Sequence, residues 1–182
     1  FLAMLNFHLD PLVLVFPFLI GAMAASHSVQ VVQRYRYMPQ CVGLGRGYNY
    51  ATAVEWALKL KELTYTVAEP YSSADFQHGP VAMISDGFPV LAVAANGSVL
   101  DSMVISLEHL KKNLMAELVV ISNNQAVRSL AQASFTIPDD MPEWLSPLVS
   151  IVPAQLFAYH LTVARGYDTN APRAIRKVTE TR

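Results

Sequence analysis

The amino-acid sequence predicts an α/β domain in which a doubly wound, mostly parallel, five-stranded sheet is flanked by helices. From Gln40 onward, short apolar runs alternate with helical stretches, an order that is typical of parallel sheets. The run at residues 88–95 (FPVLAVAA) is apolar throughout, as expected of a strand that is covered on both faces. The length of 182 residues suits one such domain with an extra segment at one end.

The predicted elements follow one another without a low-complexity linker. A first strand at residues 41–44 leads into a glycine-rich turn, after which residues 51–66 have the pattern of a helix. A strand at residues 67–71 precedes a short helix, for which Ser72 and Asp75 form a capping box. The later elements are strands at residues 88–95, 118–122 and 134–137 and helices at residues 99–114, 125–132 and 143–165.

The composition excludes some classes of function. Hydrophobic residues make up 53% of the chain and charged residues 15%, which indicates either a large buried interface or a membrane segment. The net charge of −1 and the lack of a long basic run argue against a nucleic-acid surface. Cys41 is the single cysteine, so an internal disulfide is excluded and a reducing cytoplasm is the expected compartment. We expect this thiol to be buried and inert.

Residues 1–39 form an atypical, apolar N-terminal segment. The 15 residues at positions 11–25 carry no charge, but a membrane-spanning helix needs about 20 apolar residues, and Pro17 interrupts the run. A signal peptide requires a basic region before its apolar stretch, and none precedes this one. Three interpretations stay open: a buried or interface remnant of a missing first domain, a membrane or export signal, or a sequence artefact. Residue 1 is Phe rather than Met, and we expect the chain to be a fragment.

Three charged residues share one stripe of the predicted helix at residues 51–66. At about 100° per residue, Glu55, Lys59 and Glu62 lie within about 60° of one another, while apolar side chains occupy most of the remaining circumference. A helix that is apolar nearly all round should be buried, so this stripe can face a cleft or an interface. The other interpretation is a solvated face with a favourable Glu55–Lys59 pair.

The segment around His78 is a second candidate. This histidine stands just before Gly79 and Pro80, where the backbone is expected to turn. A lone histidine is more often structural than catalytic, so the pattern alone does not assign it a role. The five histidines show no metal-ligand spacing, and we expect neither a metal nor a cofactor.

The glycine-rich turn after the first strand is a third candidate. A dinucleotide fingerprint that begins at Gly43 requires a glycine where Tyr48 stands. We therefore interpret Gly45, Arg46 and Gly47 as a tight strand-to-helix turn whose backbone N–H groups lie near a polar ligand.

Several motifs in this order resemble a known family. They are GLGRGY at residues 43–48, AVEWALKLKE at residues 53–62, QHGP at residues 77–80, and the tail APR…KVT at residues 171–179. Together they resemble the sugar-isomerase (SIS) family, in particular the C-terminal SIS domain in the isomerase part of glutamine–fructose-6-phosphate transaminases, and related glucosamine-6-phosphate deaminases. The resemblance implies a flavodoxin-like, three-layer SIS domain at residues 40–166 and a catalytic tail at residues 167–182.

The resemblance also implies roles for individual residues. Glu62 is implied to be the base that moves a proton between C1 and C2 of the sugar. His78 is implied to assist ring opening, usually in the site of a neighbouring subunit, and Lys177 to bind the open-chain carbonyl or form an imine with it. Glu55 and Lys59 are implied to order the catalytic helix.

The sequence departs from this family in two respects. It contains no glutaminase domain, and nothing like the Ser-x-Ser-Gly-Glu loop that holds the sugar phosphate in the first SIS domain. We therefore expect the second SIS half of an amino-sugar 6-phosphate isomerase or deaminase, inactive or very weak alone, completed by a homodimer partner or a complementary SIS domain. The alternative is a non-catalytic module for sugar-phosphate binding, regulation or oligomerisation.

Overall fold

The computed structural model describes residues 31–174 and contains one parallel sheet. Its strands are β1 (Gln40–Gly45), β2 (Val67–Ser72), β3 (Pro89–Val93), β4 (Glu117–Ser122) and β5 (Ala133–Thr136). They pair in the order β2-β1-β3-β4-β5, and every pair is parallel. The prediction of a doubly wound, five-stranded parallel sheet is therefore confirmed.

Helices connect the strands at each predicted position. They are α1 (Tyr50–Lys59), α2 (Ser73–Phe76), α3 (Leu100–Asn113), α4 (Gln125–Leu130) and α5 (Ser146–Ala164), and residues 31–35 are also helical. The helix predicted for residues 51–66 is divided, because a π-helical turn at Leu60–Thr64 follows α1. The predicted helix at residues 143–165 begins with a 3-10 turn, Glu143–Leu145, before α5.

The predicted capping box before α2 is wrong. Ser72 is the N-cap residue with an extended backbone, but its side chain makes no capping hydrogen bond. Ser72 is also the last residue of β2, where it pairs with Gly45 of β1. Its position is thus set by the sheet, and the four-residue helix α2 is only one turn long.

Side chains of the central strands alternate between two hydrophobic cores. In β3, Val90 and Ala92 belong to one core, whereas Leu91 and Val93 belong to the other, as the two-residue period of a strand requires. The first core lies between the sheet and α1, α5 and residues 31–35. The second core contains side chains of α2, α3 and α4. The described residues therefore form the three layers that the family resemblance implies.

The described part of the N-terminal segment belongs to the first core. Val32, Tyr35 and Met38 are at most 6% exposed, and the Tyr35 ring lies 6.4 Å from the Phe157 ring of α5. Residues 1–30 lie outside the described part of the chain. The domain boundary between residues 39 and 40 remains a prediction, although packing is continuous across it.

One described helical stretch, Glu143–Ala164, is long and apolar enough to cross a membrane. A third of its apolar window is buried inside the protein, where Phe157 and Leu161 are fully enclosed in the first core. Core helices of soluble proteins meet the same criterion of length and composition, so the stretch is weak evidence for a membrane.

The Cys41 thiol should resist alkylation in the folded protein. Cys41 lies in β1 and is 2% exposed, and burial raises its pKa to about 12. Near pH 8 we expect iodoacetamide to label the native chain at least about 100-fold more slowly than the chain unfolded in guanidinium chloride, because the thiolate is the reactive form. Mass spectrometry measures both rates, and equal rates would contradict the buried placement.

Candidate active site

The charged stripe predicted on the helix at residues 51–66 is present, on α1 and the π-helical turn that follows it. Lys59 Nζ lies 2.8 Å from Glu62 Oε2 and 3.6 Å from Glu55 Oε1. All three side chains are 30–33% exposed, so the stripe is half-buried rather than fully solvated. The hydrogen bond to Glu62 raises the pKa of Lys59, with a smaller contribution from Glu55 and opposed by burial. Lys59 therefore stays a charged donor that fixes the Glu62 carboxylate.

Glu62 lies on an irregular part of its helix. It is the central residue of the π-helical turn Leu60–Thr64, a feature that is rare and frequent at functional sites. Thr64 Oγ1 donates a hydrogen bond to the Leu60 carbonyl at 2.6 Å. The turn then ends at Tyr65, whose φ of +56° is left-handed. The backbone around Glu62 thus departs from the regular α-helix that the sequence predicts.

Arg165 anchors this end of the helix, and the sequence reasoning did not single it out. Its Nε donates to the Arg36 carbonyl at 2.8 Å, and one terminal nitrogen donates to the Met38 carbonyl at 2.5 Å. The other terminal nitrogen donates to the Thr64 carbonyl at 2.5 Å and to Thr66 Oγ1 at 2.9 Å. One guanidinium thereby ties together three segments that are distant in sequence.

Arg165 makes these four bonds to neutral acceptors rather than to a carboxylate. Burial lowers its pKa, yet the cation lies where three helical segments end: residues 31–35, the π-helical turn and α5. The C-terminal end of a helix carries partial negative charge, which accounts for a half-buried cation at this point. A basic residue in the last turn of a helix is common, so only tertiary contacts reveal its importance.

The C-terminal tail contacts the end of the helix that carries Glu62. The Arg173 backbone N–H donates to the Tyr65 hydroxyl at 2.9 Å, and Tyr65 is three residues from Glu62. Lys177, the third predicted catalytic residue, lies outside the described residues. Its placement in the site therefore remains a prediction.

Glu62 and His78 do not meet within this chain. Glu62 precedes β2, and therefore lies near the edge of the sheet where Val67 begins that strand, in the layer of the first core. His78 follows Ser72 at the opposite, carboxyl edge and is exposed beyond Phe76, which packs in the second core. A six-residue strand separates the two edges by about 17 Å. A site that uses both residues would have to combine Glu62 of one copy with His78 of a second copy.

The glycine-rich turn also lies at the carboxyl edge, apart from Glu62. A Cβ atom on Gly45 would lie 2.8 Å from the Asn49 carbonyl carbon, and Gly47 has a φ of +57°. The backbone conformation therefore requires glycine at positions 45 and 47. Arg46, between them, is half-buried, and a ligand role for this turn remains a prediction.

Replacing Gly45 with alanine should destabilise the protein by about 2 kcal/mol, because its methyl group would overlap backbone atoms that cannot rotate away. Urea unfolding measures the change. Gly87→Ala is the control, since its methyl group meets no atom within 4 Å and only backbone strain of about 1 kcal/mol is expected. A neutral Gly45→Ala substitution would contradict the close approach.

Comparison with known proteins decides the family. The model of the SIS domain matches residues 39–165, more than half of the chain. The chain belongs to the SIS domain family. This result confirms the resemblance inferred from the motifs, and the matched region agrees with the five-stranded sheet and its helices.

Curated relatives of this SIS domain include isomerizing glutamine–fructose-6-phosphate aminotransferases. The protein from Thermococcus kodakarensis is 41% identical over 134 residues, which are 74% of this chain and 22% of the relative. The protein from Bacteroides thetaiotaomicron is 34% identical over 149 residues, which are 81% of this chain and 24% of the relative. The SIS domain therefore spans about a quarter of the length of these relatives.

Solved structures with a similar fold include domains of proteins that are named for amino-sugar phosphates. The C-terminal domain of glucosamine-fructose-6-phosphate aminotransferase from Francisella tularensis has a TM-score of 0.73 and 28% identity, with 81% of this chain and 42% of that chain covered. A glucosamine-6-phosphate deaminase from Thermotoga maritima has a TM-score of 0.63 at 22% identity, with 85% and 45% covered, and shows the fold alone. This SIS domain is homologous to the C-terminal SIS domain of the aminotransferases.

Within residues 31–174, no group of three or more His, Cys, Asp or Glu side chains could hold a metal ion. The described candidate residues thus form two groups. Glu55, Lys59 and Glu62 share one half-buried stripe, while His78 and the glycine-rich turn lie at the other edge of the sheet. Proton transfer by a positioned carboxylate is the chemistry that the first group can perform.

Proposed function

We propose that this chain is the second SIS half of an amino-sugar 6-phosphate isomerase or deaminase, and that Glu62 is its catalytic base. The observation that carries the proposal is the Glu62 carboxylate, held by Lys59 at 2.8 Å on a half-buried stripe. The proposal is supported by 41% identity to an isomerizing aminotransferase. An aldose–ketose conversion needs a base of this kind beside the sugar carbonyl.

In the proposed reaction, Glu62 removes the proton from the carbon next to the open-chain carbonyl and returns it to the neighbouring carbon. A half-buried carboxylate that Lys59 holds in place suits this task, because a general base must lie within reach of the proton that it removes. Lys177 would bind the carbonyl or form an imine with it. Lys177 follows Arg173 by four residues, a chain length that spans at most about 14 Å. That reach includes the neighbourhood of Tyr65 and Glu62.

Exposed apolar side chains support the proposal that a partner domain binds this chain. Helices α1 and α5 are neighbours, since the Trp56 and Phe157 rings lie 5.5 Å apart. The outer faces of both helices carry apolar side chains that are 38–67% exposed, and contiguous apolar surface indicates an interface. These side chains are Tyr50, Val54 and Leu58 on α1 and Leu148, Val152, Tyr159 and Val163 on α5. We propose that a second copy or a complementary SIS domain covers this surface.

The proposed ligand is a sugar phosphate, and the proposed compartment is the cytoplasm. The chain lacks a Ser-x-Ser-Gly-Glu loop, so the charge-assisted hydrogen bonds that hold a phosphate must come from the partner. The isolated 182-residue chain should accordingly be inactive or very weak. Measurable isomerisation of fructose 6-phosphate, or ammonia release from glucosamine 6-phosphate, would show that it is complete.

A hybrid enzyme tests whether the chain can act as the second half. In the Thermococcus kodakarensis aminotransferase, the stretch that matches this chain is replaced by residues 40–182 of this chain. We expect the hybrid to convert fructose 6-phosphate, whereas the same aminotransferase without any second half should not. A folded hybrid that binds the sugar phosphate but shows no turnover would overturn the proposal of an enzyme half.

The broad apolar surface of α1 and α5 also supports a second candidate, a non-catalytic regulatory or oligomerisation module. Such a module would need the surface but not the base. Glu62→Gln separates the two candidates. It should lower kcat about 1,000-fold in an enzyme half, whereas a module of this kind has no turnover to lose and should keep its ligand affinity and its oligomeric state.

A further inference from the structure

Tyr65 occupies a backbone position that does not suit it. Its φ of +56° is left-handed, and this position after a helix is usually taken by glycine or asparagine, because a Cβ atom is strained there. Arg165 holds the residues on both sides in place through the Thr64 carbonyl and Thr66 Oγ1. A large side chain kept at a strained position suggests that the ring has a task of its own.

The Tyr65 ring is the centre of a cluster with the tail. Its centroid lies 5.0 Å from that of the Tyr167 ring. The Arg173 guanidinium carbon lies 4.3 Å from the Tyr65 centroid and 5.5 Å from the Tyr167 centroid. The Arg173 backbone N–H also donates to the Tyr65 hydroxyl at 2.9 Å. Two aromatic rings and one hydrogen bond thus hold a single arginine. We call Tyr65, Tyr167 and Arg173 the tail clasp.

We propose that Tyr65 is a positioning residue that anchors the C-terminal tail, through the tail clasp, to the helix end that carries Glu62. From this left-handed position the ring contacts Tyr167 and binds the Arg173 cation by cation–π attraction. Ala174, directly after the clasp, has a φ of +57°, so the chain turns where the anchored part ends. The clasp thereby sets the point from which the rest of the tail starts.

The relevance of the tail clasp to catalysis rests on the proposed function, because it depends on the proposed catalytic role of Lys177 in the tail. A fixed Arg173 limits Lys177 to a sphere of about 14 Å around the clasp. Anchoring at Arg173 therefore leaves only four residues of chain between a held point and Lys177, and a shorter connection lowers the entropic cost of bringing Lys177 to the site. The physical anchoring itself can be tested without any substrate.

Limited proteolysis of the full chain tests the clasp. Trypsin must take the Arg173 side chain into its specificity pocket, so cleavage after Arg173 requires the clasp to open, and the rate follows the open population. Tyr65→Leu should speed this cleavage about tenfold, because two ring contacts and a hydrogen bond are lost. Tyr65→Phe keeps the ring face but loses the hydrogen bond from the Arg173 backbone N–H, and should speed the cleavage by about threefold, less than Tyr65→Leu. Mass spectrometry of the released C-terminal peptide measures the rates.

Two controls separate the clasp from general loosening. Cleavage after Lys112, whose side chain is 61% exposed at the end of α3, should keep the same rate in every variant. Tyr37→Leu removes another tyrosine with an arginine over its ring, since the Arg36 guanidinium lies 5.6 Å from the Tyr37 centroid, and should leave cleavage after Arg173 unchanged.

The outcomes distinguish the clasp from the proposed function. Equal cleavage after Arg173 in the wild type and Tyr65→Leu would overturn the clasp, as would equal acceleration by Tyr65→Phe and Tyr65→Leu. Stronger acceleration by Tyr65→Leu than by Tyr65→Phe supports it, whether or not the hybrid enzyme is active. An inactive hybrid alone would count against the proposed function and leave the anchoring result standing.

Discussion

Replacing Arg165 with methionine should lower the free energy of unfolding by about 4 kcal/mol, a large part of the stability of a domain of this size. Methionine keeps the apolar stem but removes all four hydrogen bonds of the guanidinium. The carbonyls of Arg36, Met38 and Thr64 then lose a charged donor, and each bond to a charged group contributes about 1.5–3 kcal/mol before relaxation and solvent are considered. Urea unfolding followed by circular dichroism measures the loss.

Arg34→Met is the matched control. Arg34 forms an ion pair with Glu117, but its side chain is 56% exposed, and an exposed pair contributes about 0–1 kcal/mol. Arg165→Lys should fall between the two, because an ammonium group cannot reach all four acceptors. If Arg165→Met and Arg34→Met cost the same, the three segments are not held together by Arg165.

The second large effect is expected from Glu62→Gln in the hybrid enzyme. Glutamine keeps the size of the side chain and can still contact Lys59, but it cannot accept the proton from the sugar carbon. We expect kcat to fall about 1,000-fold, within the range of general-base catalysis, while the affinity for fructose 6-phosphate stays within about threefold. Steady-state kinetics and calorimetric titration measure the two quantities.

Glu55→Gln is the control on the same stripe. Glu55 lies 3.6 Å from Lys59, but the proposed role of Glu55 is to order the helix. A loss of about tenfold or less is expected there. If both substitutions lower kcat equally, the stripe acts as a structural unit and Glu62 is not the base.

Much of the fold could be predicted, because strands and helices in an α/β domain are encoded by local apolar patterns. The run at residues 88–95 indicates β3, and parallel pairing follows because every connection is long enough for a crossover. The π-helical turn at Leu60–Thr64 could not be predicted. One extra residue in a turn leaves the apolar pattern nearly unchanged, and its placement depends on the contacts of Thr64 and Tyr65.

The candidate site could be predicted only where its parts are close in sequence. Glu55, Lys59 and Glu62 are three or four residues apart, so helix geometry alone places them together. Arg165 is 99 to 129 residues from its acceptors, and Arg173 is 108 residues from Tyr65. No local periodicity records such pairs, because they form only when the chain has folded.

The separation of Glu62 and His78 on opposite edges of the sheet has a consequence for genetics. If two copies share composite sites, each site takes its base from one copy and its histidine from the other. A cell that carries one allele with a defective Glu62 and another with a defective His78 could then assemble some intact sites from two inactive products. Complementation between alleles of one gene would thus follow from the placement of Glu62 and His78 on opposite edges of the sheet.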